Sequence, residues 1–238
     1  MSTLVFDIET VGEDWNDMDE TTQHMLTRSV RREMMDNDEA YEAALKDIRE
    51  GLGFSALSGR IVALGVYDAE KEKGVVYYDP QDKKEKEEEE NDITLKPASE
   101  KEMLAQFWKG AKEYDRFVGF NSRAFDVPFM ITRSAVNDVV PTKNLMRSRY
   151  AYQQSSDARH VDLMDELTFY GAVWRQKGSL HMWCRAFGIE SPKAGGTTGD
   201  DVAALWKAGE SKTIARYNGG DLRATKALYD KWHKYFVS

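Results

Sequence analysis

With a single cysteine, Cys184, among 238 residues, the chain cannot close an intrachain disulfide and reads as a protein of a reducing, cytoplasmic compartment. No basic stretch followed by an apolar run opens it, so no secretory leader is expected. It lacks any run of about 18 apolar residues, and a membrane-spanning helix is therefore not expected. It lacks a surplus of positive charge as well: 33 Lys and Arg against 41 Asp and Glu leave a formal −8, so no global field draws nucleic acid to it. There is no internal repeat. The remainder is ordinary globular composition, 41% hydrophobic, enough for a sizeable core.

The charge is unevenly spread. Asp82 to Asp92 holds seven acids and three lysines, half of the net charge, and reads as a solvated, mobile loop. Arg116 to Lys193 holds eleven Lys or Arg against seven acids, which leaves room for a phosphate-binding face within an acidic protein. Arg147, Arg149, Arg159 and Lys177 are its candidates for a strand-tracking groove, or scattered surface charge.

Periodicity sets out a mixed α/β chain. Thr3 to Thr10 is a run of strand formers ended by Val11-Gly12. Residues 13 to 50 carry apolar residues at helical intervals and look like a helical insertion, closed by Gly51-Leu52-Gly53. Arg60 to Asp68 and Val75 to Tyr78 read as a hairpin of strands. Ser99-Glu100-Lys101-Glu102 has the form of a capping box before a helix reaching about Tyr114. Phe117 to Phe120 suits a central strand, and Asn121-Ser122 can cap a helix through Phe125, Met130 and Val136. Beyond it the pattern offers helices only, at Val161 to Tyr170, Ser179 to Phe187, Asp200 to Ala208 and Ser211 to Trp232. Cys184 falls on the apolar face of the second of these and reads as core.

Three constellations carry chemistry. Asp7 and Glu9 stand at i and i+2 of an otherwise apolar strand, so both carboxylates leave one face of the sheet. Held together and buried they need a cation, and a divalent metal supplies it; at a wet strand end they would be harmless acids. Asn121 to Asp126 sits at a strand-to-helix junction, where polar side chains project from the sheet's end, or merely cap a helix. Tyr217 and Asp221 share a helix face at i and i+4, across Gly219-Gly220, whose cost of about 1 kcal/mol each calls for a close neighbour.

Taken in order, Asp7-Ile8-Glu9, Asn121 through Phe125-Asp126 and Tyr217 through Asp221 resemble the Exo I, Exo II and Exo III motifs of DEDD-superfamily 3′→5′ exonucleases of the tyrosine subclass (DEDDy). Within it the chain is most similar to the exonuclease domain of family-B DNA polymerases and the related free-standing predicted exonucleases. The resemblance extends to Ser58-Gly59-Arg60-Ile61-Val62-Ala63-Leu64-Gly65-Val66, Asp162-Leu163 and Gly188 to Lys193. It omits about 13–50 and 80–96, read as insertions in one domain over 1–238. Asn218-Gly219-Gly220 and Leu222 depart from the expected third motif.

The resemblance implies a single RNase H-like domain, a mixed central sheet flanked by helices. It implies that Asp7, Glu9, Asp126 and Asp221 hold two divalent ions, Mg²⁺ or Mn²⁺, one activating water and one stabilising the leaving 3′-oxygen. It implies that Tyr217 orients or helps deprotonate the attacking water, positioning being the safer role for a phenol of ordinary pKa near 10, that Asn121 and Phe125 line the path of the terminal nucleotides, and that Thr10 and the backbone beside it meet the terminal sugar. Lys193, after Ser191-Pro192, is either an ammonium in reach of a phosphate or a solvated loop lysine. A histidine-type third motif fails, since Arg216 stands five before Asp221; His160…Asp165 has that spacing but reads as structural, as does Asp162.

The implied activity is release of nucleoside 5′-monophosphates from single-stranded 3′ ends, DNA ahead of RNA. An exoribonuclease on the same scaffold and a non-catalytic nucleic-acid-binding module are the alternatives. No polymerase follows Trp232, so any proofreading would need a polymerase or repair partner in trans.

Overall fold

The computed structural model describes residues 2–34, 37–81, 84–173, 178–191 and 199–237. Lys177, Lys193 and the glycine loop before Gly199 lie outside them. No helix among the described residues is long and apolar enough to cross a membrane.

The first strand, β1 (Thr3–Gly12), sits inside a seven-stranded mixed sheet whose order across the sheet is β4 (Glu88–Glu90), β5 (Ile93–Pro97), β3 (Lys73–Tyr78), β2 (Gly59–Asp68), β1, β6 (Arg116–Gly119) and β7 (Arg159–Asp162). β2 (Gly59–Asp68) pairs antiparallel with β1 and with β3 (Lys73–Tyr78), the expected hairpin. β6 (Arg116–Gly119) runs parallel to β1, and β7 (Arg159–Asp162) parallel to β6. Strand alternation divides β1 between two cores. Leu4, Phe6 and Ile8 pack against α3 (Glu100–Gly110) and α4 (Asp126–Val136), and Val5 and Val11 join the core under α8 (Ser211–Phe236).

The insertion is helical, as its period predicts: α1 (Glu20–Glu33) and α2 (Asp38–Gly51) start at Asp19 and Asn37, whose carboxylate and amide oxygens accept the Thr22 and Ala40 N–H at 3.0 Å. The capping box is made in both directions by Ser99 and Glu102. Buried Glu100 then accepts from Ile61 N–H at 2.8 Å and from Arg133 at 2.7 and 2.9 Å, tying α3 and α4 to β2. This lock fixes the helix that begins at Asp126.

Two expectations need correction. The acidic run is no free loop across 84–92. Glu88–Glu90 form the edge strand β4 on β5 (Ile93–Pro97), and the acids reach cations spaced along one face of α8. Lys212 lies 3.2 Å from Glu85 and 3.0 Å from Glu88, Arg216 2.7 Å from Glu90, and Arg223 2.6 Å from Asp92. The local cations compensate the charge that composition alone assigned to solvent. The second correction is β7, where only helix was expected. Four residues beginning Arg159-His160 are too short for a period-2 signal, and the strand exists because β6 offers a parallel edge. The helix expected from Val161 begins at Leu163, as α5 (Leu163–Leu167). α6 (Leu180–Phe187), with Cys184 buried in it, and α7 (Val202–Lys207) fall where periodicity put them.

Candidate active site

Between Val5 and Val11, two positions of β1 turn acids toward α8. Asp7 and Glu9 meet Asp221 there, and one carboxylate oxygen from each lies within 4.8 Å of the others. Burial pushes the Asp7 and Glu9 carboxyls well above the usual range, and each is pushed further by Asp126 and Asp221. Three hard oxygen donors at this spacing suit a hard divalent cation, which favours carboxylates over softer ligands.

Asp126 stands beside this trio. β6 stops at Gly119, so the second half of β1 has no partner on that edge, and the Asp126 carboxylate accepts the Ile8 N–H at 3.2 Å. Burial raises its pKa to about 7, against the lowering effect of its backbone bonds, with Asp162 and Asp221 adding to the rise. All four carboxylates named by the sequence thus belong to one electrostatic cluster, three of them at chelating distance.

A fifth side chain of the site is one that sequence reasoning left out. The Asn218 amide donates to Asp7 at 2.7 Å and lowers the Glu9 pKa by a further hydrogen bond. It reaches Asp7 because Asp7 pairs with Gly65 on β2: a Cβ at Gly65 would lie 2.0 Å from the Asn218 Oδ1 and 2.7 Å from Leu222 Cδ1. The signal available was spacing, Asn218 lying three before Asp221 on the same helix face. Gly219 has the close neighbour its helix position called for, Ile93 Cδ1 at 3.1 Å from where a Cβ would be. Gly65→Ala is expected to lift α8 from the sheet, costing about 1–3 kcal/mol by overpacking and most of the activity. A variant with unchanged melting temperature and turnover would mean that this contact sets nothing.

Tyr217 faces the cluster. Burial raises its pKa far above that of free tyrosine, and Asp221, Glu9 and Asp7 raise it further, Asp221 also by accepting its hydrogen bond. The phenol is a fixed donor at neutral pH.

The other residues named from sequence lie around this centre in different roles. Thr10 donates its hydroxyl to the Gly53 carbonyl at 2.7 Å, so it clasps a loop to β1. Asn121 does not cap α4, which starts five residues later after Phe125; Asn121 takes the left-handed conformation at φ 59°, and its N–H binds Asp162 at 2.9 Å. Phe125 packs at a tilt against Phe129 and meets Phe54 edge to face. Asp162 also accepts the Arg123 and Met164 N–H groups, at 2.8 and 2.9 Å, and so organises the junction. His160 is buried between Ser122 and the Leu145 carbonyl, its pKa pushed down to about 3 by burial and then by Arg123, which makes it a neutral packing residue. Arg149 is bound to Asp165 at 2.9 Å rather than open to a strand. Beyond the end of β1 lies a cleft lined by Trp15, Arg49, Gln81 and Trp206, where the insertion meets α7.

Residues 60–235 match the model of a family described as predicted 3′-5′ exonucleases related to the exonuclease domain of PolB. The match starts after Asp7 and Glu9, which therefore rest on geometry. No curated protein matches the chain. Among solved structures, 98% of the chain aligns to the family B DNA polymerase from the hyperthermophilic archaeon Pyrobaculum calidifontis, with a TM-score of 0.56 and 19% identity. The chain spans 24% of that polymerase, and the likeness speaks for the fold: a mixed sheet flanked by helices, RNase H-like. With three quarters of its length matched, the chain belongs to the family of predicted 3′-5′ exonucleases related to the exonuclease domain of PolB.

Proposed function

We propose that the chain releases nucleoside 5′-monophosphates from single-stranded 3′ ends, DNA ahead of RNA, with Asp7, Glu9, Asp126 and Asp221 holding two divalent cations. The carrying observation is the trio Asp7, Glu9 and Asp221 within 4.8 Å, with raised carboxyl pKa values that a cation would relieve. When bound, such ions would supply a water of lowered pKa and a charge to stabilise the leaving 3′-oxygen. Asp7 takes the central part, since Asn218 fixes one of its oxygens and its charge is coupled to all three other acids. Tyr217, protonated and with its hydrogen donated to Asp221, orients water by accepting at its hydroxyl oxygen and does not act as a base.

Tyr217→Phe is accordingly expected to lower kcat about 10- to 100-fold, below the full range of a lost general base, while the shift in melting temperature on adding Mg²⁺ stays as in the wild type. An unchanged kcat would remove Tyr217 from the reaction. The activity itself is tested with matched 3′-labelled and 5′-labelled single-stranded DNA and RNA in Mg²⁺, Mn²⁺ or EDTA. A metal-dependent ladder shortening from the 3′ end supports the reading and ranks the two sugars. No cleavage of either polymer with binding intact would favour the non-catalytic module.

A further inference from the structure

Phe54 is a large apolar ring, 70% exposed, on a loop that is anything but loose. The turn after α2 is closed by Ser55 N–H on the Leu52 carbonyl and by the Ser58 hydroxyl on the same oxygen at 2.9 Å. It is tied to β1 by the Thr10 hydroxyl on the Gly53 carbonyl and by Glu13 N–H on the Ser58 carbonyl at 2.8 Å. Arg133 of α4 reaches the Ala56 carbonyl at 3.4 Å from the other side. A loop fixed at this many points holds its outward ring in one place.

The ring is aimed at something. Phe54 meets Phe125 edge to face with centroids 6.4 Å apart, and Phe125 rests on buried Phe129 at 5.5 Å, so three rings run from solvent into the core. Both attachments of this rank adjoin the acid cluster in sequence: Thr10 follows Glu9, and Phe125 precedes Asp126. Resting on the function proposed above, we propose that Phe54 is a nucleobase-stacking residue that, with Phe125, grips the last bases of a single strand so that its 3′ end lies at the carboxylates. A base offers a π-face whatever its identity, so an aromatic platform holds any sequence, as an exonuclease requires, and rejects a duplex whose bases are already stacked. Phe54 is a positioning residue here, acting through the strand it holds.

The test uses the full chain as wild type, Phe54→Ala, Phe54→Leu and Phe54→Trp. The affinity for a fluorescein-labelled oligo(dT) is read by anisotropy in EDTA, and KM and kcat in Mg²⁺. Phe54→Ala is expected to weaken binding and raise KM about 5- to 150-fold, the range of one lost base stack, with kcat within about threefold. Phe54→Trp should restore affinity to near the wild type and Phe54→Leu should not. The same oligonucleotide with its last two nucleotides abasic should bind wild type and Phe54→Ala equally. An equal affinity of the two proteins for oligo(dT), or the same penalty on the abasic strand, would overturn the proposal. A wild type that binds but never cleaves defeats the hydrolytic reading while the affinity comparison still judges Phe54; one that neither binds nor cleaves defeats both.

Discussion

Asp7→Asn is expected to lower kcat at least about 10³-fold while the metal-free protein becomes more stable than the wild type. The two effects have one cause. Asp7 lies in a buried cluster of like charges, with Asp126, Asp221 and Glu9 all opposing its ionisation, and only its fixed position justifies keeping a charge there. The amide keeps the shape and can still pair with Asn218, so the fold survives. It donates where a cation needs an anion, and the several kcal/mol of transition-state charge stabilisation lost convert at about 1.4 kcal/mol per decade into three or more orders of magnitude. Turnover at matched Mg²⁺ and melting temperature in EDTA are the two readings. Full activity in Asp7→Asn would end the metal assignment, and lost activity with a lower melting temperature in EDTA would make Asp7 a structural acid.

The second large effect is a stability that falls with pH in EDTA and is returned by divalent cation. The carboxyls of Asp7, Glu9 and Asp126 titrate higher in the folded chain than in the unfolded one, Asp126 near 7. The folded state therefore binds more protons, and stability drops as pH rises through the folded values, by a few kcal/mol across the cluster. His160 opposes this below about pH 6.5, since its folded pKa near 3 makes the unfolded state the better proton acceptor there. The clear window is from about pH 6.5 to 8. Melting temperature in EDTA should decline across it, the gain on adding Mg²⁺ or Mn²⁺ should grow, and Asp126→Asn should flatten the slope. A metal-induced gain that is the same at both ends of the window would mean that these carboxyls are not its ligands.

Much of this site was legible because it depends on short periods. Asp7 and Glu9 share a face because a strand repeats every two residues, and Tyr217 and Asp221 share one because a helix repeats every 3.6. Ser99 and Glu102 close a capping box within one turn, so four residues suffice to announce it. The acidic run was misjudged for the opposite reason: its partners, Lys212, Arg216 and Arg223, lie more than 120 residues away. The Thr10 hydroxyl donates to the Gly53 carbonyl, 43 residues on, a tie that no local period announces.

The sequence by itself determined the class of fold, the three ordered motifs and which side chains leave which face, since these follow from local backbone geometry. Only the tertiary structure decided that Asp7, Glu9 and Asp221 come within chelating distance, that Asp126 turns to the open edge of β1, and that Asn218 enters the site through the space left by Gly65. Asn218 and Asp7 are 211 residues apart, and no local rule relates them. Their meeting is set by where α8 crosses the sheet over Gly65, and that is a property of packing between elements rather than of any one of them.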